Sequence, residues 1–393
     1  MIYLFVIFLL LFLIVYYDIN EKSVNRDFWY NTVLFVFILI AGLRYRLGAD
    51  TPNYLYDYYH YTHDITGLRI SELSWDLEPL YKIIVSSFHS MDLPFYAFQL
   101  FHALFVNLLL FNYIKRHCHY IFTCVFFYFI WMYFFYNMEE LRASMSVVVC
   151  LYSNDLILKR KWLKGYLLIL VGCAFHKSTF LLLVLPLFYG LLRFNIIGII
   201  FLTASFLISL YLKTNMAEYI NLFEFSDSFS ESANIYANSE TYGENAGNIF
   251  FYFVHILPFV FYPLILFFIR RKYSERSSDM IFIEPLIIVG MMFVLLRSNI
   301  EIFYRYVHFY AIYIIISFAE LFILIVKYKG VGFASYFRTF VVFLPLFVMI
   351  GRSYVELLPR YYPYASVIDK TLNENRERLY SDEGCARPSF NEY

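Results

Sequence analysis

Apolar runs of about 17–25 residues recur along most of this chain, and they restrict its fold more than any other feature. Inside a bilayer the backbone has no water to bond, so a crossing segment must be a helix or one strand of a closed barrel. The runs are continuous, not alternating, which points to helices. The expected fold class is all-α, a polytopic integral membrane protein with about 12 transmembrane helices. Composition agrees. Charged residues are 16% of the chain and hydrophobic ones 61%, whereas a soluble domain is roughly a quarter charged. The formal net charge of +0 offers no basic surface, so no nucleic acid partner is expected.

The candidate spans are 2–17, 28–43, 94–114, 119–136, 141–158, 165–175, 178–192, 195–213, 248–269, 281–297, 302–326 and 339–354. The first lacks a basic leader and a small-residue cleavage site, so it is expected to be retained. Lys/Arg clusters lie at Lys22/Arg26, Lys115/Arg116, Lys159–Lys164, Arg193, Arg270–Arg276 and Lys327–Arg338. Twelve spans with the N-terminus outside put all of them in the cytoplasm. This requires 165–192 to break at His176-Lys177-Ser178, as two short spans that dip from the outer face into a protein-lined cavity. The domain reading is a single membrane domain over 1–354, with outer-face loops 44–93 and 214–247, and an extracytoplasmic tail over 355–393. Loop 44–93 ends in a proline-started apolar stripe from Glu78, expected to be a helix at the outer interface.

Under this topology the polar residues in unusual places gather on the outer face. Arginine's planar fork suits phosphoryl oxygens, and Arg44, Arg46, Arg142, Arg297 and Arg305 all fall near that rim. The competing role is snorkelling to head groups; it fits Arg142 and Arg305 least, because they lie about one turn inside helices. Asp50 follows Gly48 at a bend. It is a candidate general base, or a partner for Arg44 or Arg46. Glu78 precedes Pro79 and either favours a helix dipole or orients a substrate. His176 interrupts an apolar run beside Lys177, where imidazole can relay a proton or donate to phosphate; the alternative is a satisfied core histidine. Most of the 39 tyrosines belong to an interfacial belt.

Other chemistries find no support. The five cysteines, Cys118, Cys124, Cys150, Cys173 and Cys385, have neither metal nor paired spacing, and the histidines have no ligand spacing. No metal and no cofactor is expected. A P-loop, a dinucleotide fingerprint and a nucleophile elbow are all missing from the sequence.

In these residues the chain resembles the EpsG family of Wzy-like polysaccharide polymerases. The resemblance rests on Arg44-Tyr45-Arg46-Leu47-Gly48-Ala49-Asp50 with Tyr54, on Glu78-Pro79-Leu80-Tyr81, on Glu139-Glu140-Leu141-Arg142, on His176-Lys177-Ser178, on Phe303-Tyr304-Arg305-Tyr306, and on Tyr361-Tyr362-Pro363-Tyr364. The family tends to have Asn before, and Gln after, the arginine at 142; here Glu139 and Ala143 stand nearby. The resemblance implies a membrane glycosyltransferase, GT-C-like, in a bacterial inner (plasma) membrane with its site facing the periplasm or exterior. Such an enzyme moves a growing glycan from an undecaprenyl-diphosphate donor to a lipid-linked repeat unit, making O-antigen, capsule or exopolysaccharide.

The implied roles are Arg44, Arg142 and Arg305 on the diphosphate, and Asp50, His176 and Glu78 in catalysis. Tyr54, Lys177 and Tyr304 would contact substrate. The expected partners are the undecaprenyl-diphosphate-linked oligosaccharide and the lipid bilayer, with a chain-length regulator as a further candidate. The alternatives are an O-antigen ligase or other lipid-donor glycosyltransferase, a lipid-linked glycan flippase, and a membrane acyltransferase.

Overall fold

The computed structural model describes residues 2–48, 50–68, 78–214, 256–273, 278–298, 303–327 and 358–370. Among the described residues the regular structure is helical, with one isolated antiparallel bridge, Arg44 to Ser366. The N-terminal helices are α1 (Ile2–Leu13, continued by a π-helical turn, Ile14–Ile19), α2 (Arg26–Gly42), α3 (Thr51–His60) and α4 (Pro79–Ser90). Then come α5 (Phe95–His117), α6 (Ile121–Trp131), α7 (Leu141–Leu158), α8 (Trp162–Phe175) and α9 (Ile196–Thr214). Last are α10 (Leu257–Tyr273), α11 (Ser278–Arg297), α12 (Tyr304–Lys327) and the single turn α13 (Leu358–Tyr361).

Among the described residues, five helical segments are long and apolar enough to cross a membrane: Ile2–Ile19, Phe95–His117, Leu141–Leu158, Met280–Arg297 and Tyr304–Lys327. Other expected spans appear as shorter apolar helices, Ile121–Trp131, Trp162–Phe175, Lys177–Phe188, Ile196–Tyr211 and Pro258–Phe268. The expected run 119–136 does not stay α-helical. It ends at Trp131 and re-forms as a π-helical turn, Phe135–Glu139, before α7. The break expected within 165–192 is present: α8 stops at Phe175, His176 is extended, and 3-10 turns run from Lys177 to Leu183. The expected span 339–354, loop 214–247, Trp75 and the tail beyond residue 370 lie outside the described residues.

The chain divides into two compact units. The first comprises Met1–Arg116, Tyr128–Val184 and Ile350–Tyr393; the second comprises His117–Phe127 and Leu185–Met349. The core of the first is aromatic. Phe37 packs edge-on against Phe111 and Tyr133. The buried phenols close on backbone carbonyls, Tyr30 donating to Phe111 O at 2.8 Å and Tyr133 to Phe37 O at 2.6 Å. A buried hydroxyl without a partner would be costly, so these bonds fix how α2 sits on its neighbours.

Polar side chains in the apolar helices are paired in the same way. Asn107 donates to Asn137 Oδ1 at 2.5 Å, and Asn137 donates to the Tyr128 hydroxyl at 2.9 Å. Helices α7 and α8 approach closely at Gly165, where a Cβ would stand 2.4 Å from Ile157 Cγ1. Ser153 Oγ uses that proximity to donate to Gly165 O at 2.8 Å.

In the second unit, Phe293 of α11 stacks on Tyr306 and Tyr310 of α12. The Tyr310 hydroxyl meets that of Tyr189 at 2.9 Å.

Candidate active site

Two elements of loop 44–93 and the two ends of the α7–α8 pair form the site. Helix α4 starts with Pro79 at its first position, where proline costs no hydrogen bond. Glu78, just before it, has φ 56° and ψ 66°, a left-handed conformation rare for a residue with a side chain. Its carboxylate makes no capping bond to the helix. It turns away and is 4% exposed.

Three groups meet that carboxylate. Arg142 Nη1 donates to Oε2 at 2.7 Å, His176 Nδ1 makes a short hydrogen bond to Oε1, and the Lys177 backbone N–H approaches Oε1 at 3.5 Å. Burial alone pushes the Glu78 carboxyl up. The His176 hydrogen bond and the Arg142 charge outweigh it and hold the group down at about 2. Glu78 is therefore ionised at neutral pH. The expected helix-dipole role gives way to a bridge between a guanidinium and an imidazole.

Arg142 occupies the first turn of α7. Its guanidinium lies 5.7 Å from the Tyr54 ring centroid and 5.9 Å from that of Tyr81. Its side chain is 45% exposed, so N–H donors remain open to a further anion. Both phenols are pushed up by burial and stay neutral donors. The turn that carries Arg142 is anchored from α5, since His102 Nε2 donates to Leu141 O at 3.1 Å and lies 2.9 Å from Ser144 Oγ.

His176 is positioned by the end of α8. Its own N–H closes the helix on Gly172 O at 2.9 Å, and its carbonyl accepts from Thr179 N at 3.1 Å. With Nδ1 donating to Glu78, Nε2 is the acceptor nitrogen, and it has no hydrogen bond among the described residues.

Beside Glu78 and Arg142 lies a cavity of about 410 Å³, lined also by Tyr54, Asp57, Tyr61 and Lys82. It lies between α3 and α4 and reaches the first turns of α5 and α7.

The remaining expected site residues are placed elsewhere. Asp50 is the half-exposed residue that opens α3, one turn before Tyr54, and its charge acts on the Tyr54 phenol. Arg44 is fully buried and does not line the cavity. It donates to Ala41 O at 2.6 Å and Leu47 O at 3.3 Å, and Gln99 donates to its carbonyl at 2.9 Å. These bonds make Arg44 the clamp of its own turn. Tyr304 and Arg305 lie in the first turn of α12, in the second unit, with the guanidinium 5.9 Å from the Tyr304 ring centroid.

Sequence reasoning assigned no role to Glu139. It is buried and accepts from Tyr361 and from Arg360 Nη1, the latter at 3.2 Å. Tyr361 also stacks on Phe134, at 4.8 Å between ring centroids, and its carbonyl accepts from Tyr3. Two backbone bonds at 2.9 Å, Tyr45 N to Ala365 O and Val367 N to Leu43 O, stitch the tail to the Arg44 turn. The turn is sealed by Gly48, at φ 107°, where a Cβ would be 2.3 Å from Met138 O. The buried Glu139 carboxylate, three residues before Arg142, is thus paired by the tail. Its signal was the pair of a buried acid in an apolar run and an Arg-Tyr in the tail. Tyr81 stands in the sequence as the end of the Glu78-Pro79-Leu80-Tyr81 motif, and Gln99 and His102 stand out as polar residues inside an apolar run.

A sequence model of the EpsG family matches residues 27–366, most of the chain. No curated protein and no solved structure matches it.

Proposed function

The chain belongs to the EpsG family, and on that premise we propose that it is a polysaccharide polymerase that uses lipid-linked substrates. It takes a growing glycan from an undecaprenyl-diphosphate donor and joins it to the repeat unit on a second lipid. The reaction runs at the outer face of the bacterial plasma membrane, in a GT-C-like helical body of about twelve spans. The observation that carries this reading is the single carboxylate shared by Arg142 and His176.

In this mechanism the acceptor hydroxyl oxygen attacks the anomeric carbon of the donor sugar. The bond from that carbon to the diphosphate oxygen breaks, and the lipid diphosphate leaves with the electron pair. Arg142 meets the charge that develops on the leaving oxygens, using donors that Glu78 does not occupy. The hydroxyl proton passes to His176 Nε2, because Glu78 fixes Nδ1 as the protonated nitrogen and stabilises the imidazolium that forms. Asp50, the base expected first from sequence, lies one turn before Tyr54 at the start of α3. Tyr54 and Lys177 flank the same carboxylate and contact the substrate.

The test is a gene deletion complemented with wild type or with Arg142→Ala, read on a gel of the surface glycan. A ladder that collapses to one repeat, restored by wild type and not by a stably inserted Arg142→Ala, supports the polymerase. Long chains left unattached would point to a ligase. Repeats stranded on the cytoplasmic leaflet would point to a flippase. Either result would displace the polymerase.

A further inference from the structure

The cavity between α3 and α4 has a wall that the diphosphate chemistry does not use. We infer that it is a saccharide subsite, and that it holds the sugar rings attached to the diphosphate that Arg142 contacts. This inference rests on the polymerase reading and deepens it.

The first support is position. Arg142 and Glu78 are part of the lining, so a glycan whose phosphate lies on the guanidinium has its first rings beside or within the cavity. Size is the second. At about 410 Å³ the space is within the ~300–1,000 Å³ of small-ligand sites and admits about two sugar rings.

The lining chemistry is the third. The wall mixes aromatic rings, Tyr54, Tyr61 and Tyr81 among them, with polar groups such as Asp57 and Lys82, and a sugar offers both an apolar C–H face and a rim of hydroxyls. Asp57 supplies acceptors for paired hydroxyls. Lys82, half-buried on α4, supplies donors, and its ammonium has no ion pair among the described residues. Tyr61 is 62% exposed at the end of α3, so its ring is open to a ligand and not locked in the core. Elements α3 and α4 lie outside the membrane spans, where a hydrophilic glycan must stay.

The probe is the oligosaccharide released by mild acid from the lipid-linked repeat that accumulates in the deletion strain. It lacks the diphosphate, so it reports the sugar subsite apart from the arginine. Saturation-transfer NMR with the full-length protein in lipid nanodiscs should show contact at the rings nearest the released end. Tyr61→Ala and Lys82→Ala should each weaken binding about tenfold. In polymerisation of the lipid-linked repeat, each should raise KM by a similar factor and leave kcat within about twofold. Arg142→Ala should still bind the free sugar while it fails to polymerise.

Binding unchanged in both cavity variants, with polymerisation still lost in Arg142→Ala, would overturn the subsite and leave the polymerase standing. Saturation at the opposite, non-reducing end would overturn it in favour of an acceptor tip. Normal polymerisation by Arg142→Ala would sink the polymerase reading and, with it, the subsite.

Discussion

Arg142 Nη1 stands 2.7 Å from Glu78 Oε2, across 64 residues of sequence, and the same carboxylate bonds His176 through its other oxygen. One acid thus sets the place of a guanidinium and the orientation of an imidazole. Moving either partner disturbs the other.

Replacing Arg142 by Lys keeps the charge and removes the planar fork. The ammonium can follow Glu78 but cannot hold two further phosphoryl oxygens in fixed geometry. Polymerisation should fall on the order of a hundredfold, with protein abundance unchanged. Initial rates with purified lipid-linked repeats measure it, and a rate within twofold of wild type would remove the bidentate role.

Glu78→Gln retains the shape and loses the charge. His176 then has a neutral partner and Arg142 an unneutralised one. Stability should drop by about 1–3 kcal/mol, less than for a fully buried pair because Arg142 is half exposed. The double variant Glu78→Gln/Arg142→Gln should cost less than the sum of the singles, since the groups share one network. Additive losses in thermal unfolding would show that the pair is uncoupled.

The depressed Glu78 acid makes the site sensitive to acid in one direction. A carboxyl held at about 2 in the folded state, below its ordinary value near 4.5, adds stability that is fully present above that ordinary value. The contribution fades as pH falls from about 4.5 toward 2. The hydrogen-exchange protection factors of residues 79–90, corrected for the intrinsic rate at each pH, should fall through that window, and Glu78→Gln should flatten the response.

Tyr361→Phe deletes one donor to the buried Glu139 and leaves Arg360 in place. A hydrogen bond to a charged acceptor is worth about 1.5–3 kcal/mol, so the midpoint of unfolding should fall and protease should cut the tail faster. Gly48→Ala should be worse tolerated, because its Cβ meets the Met138 carbonyl and its backbone is left-handed. Equal melting temperatures for wild type and Gly48→Ala would contradict that packing.

Much of the helical character was readable from the apolar runs, and so was the break at His176, where a His-Lys-Ser interrupts them. The residues Glu78, Arg142 and His176 were each visible as polar groups in costly positions. Their meeting was not. Partners 64 and 98 residues apart are joined by chain closure, which no local period encodes. Arg44 shows the opposite failure. It reads as a surface cation, yet the Gln99 amide and the tail bury it, and neither lies near it in sequence. Trimming of the expected run 119–136 has a local cause. A π-helical turn spends its extra residue between Phe135 and Glu139, which starts α7 afresh and places Arg142 in its first turn.

The bonds that stitch residues 361–367 to Tyr3, Leu43, Tyr45 and Glu139 have a consequence for biogenesis. The unit that carries the site is discontinuous, opened by the first helix and closed by a segment made some 350 residues later. A chain that lacks that segment leaves Glu139 beside the Arg142 helix without the Arg360 cation and the Tyr361 phenol. The half that carries Glu78, Arg142 and His176 therefore settles only after residues 361–367 have been made.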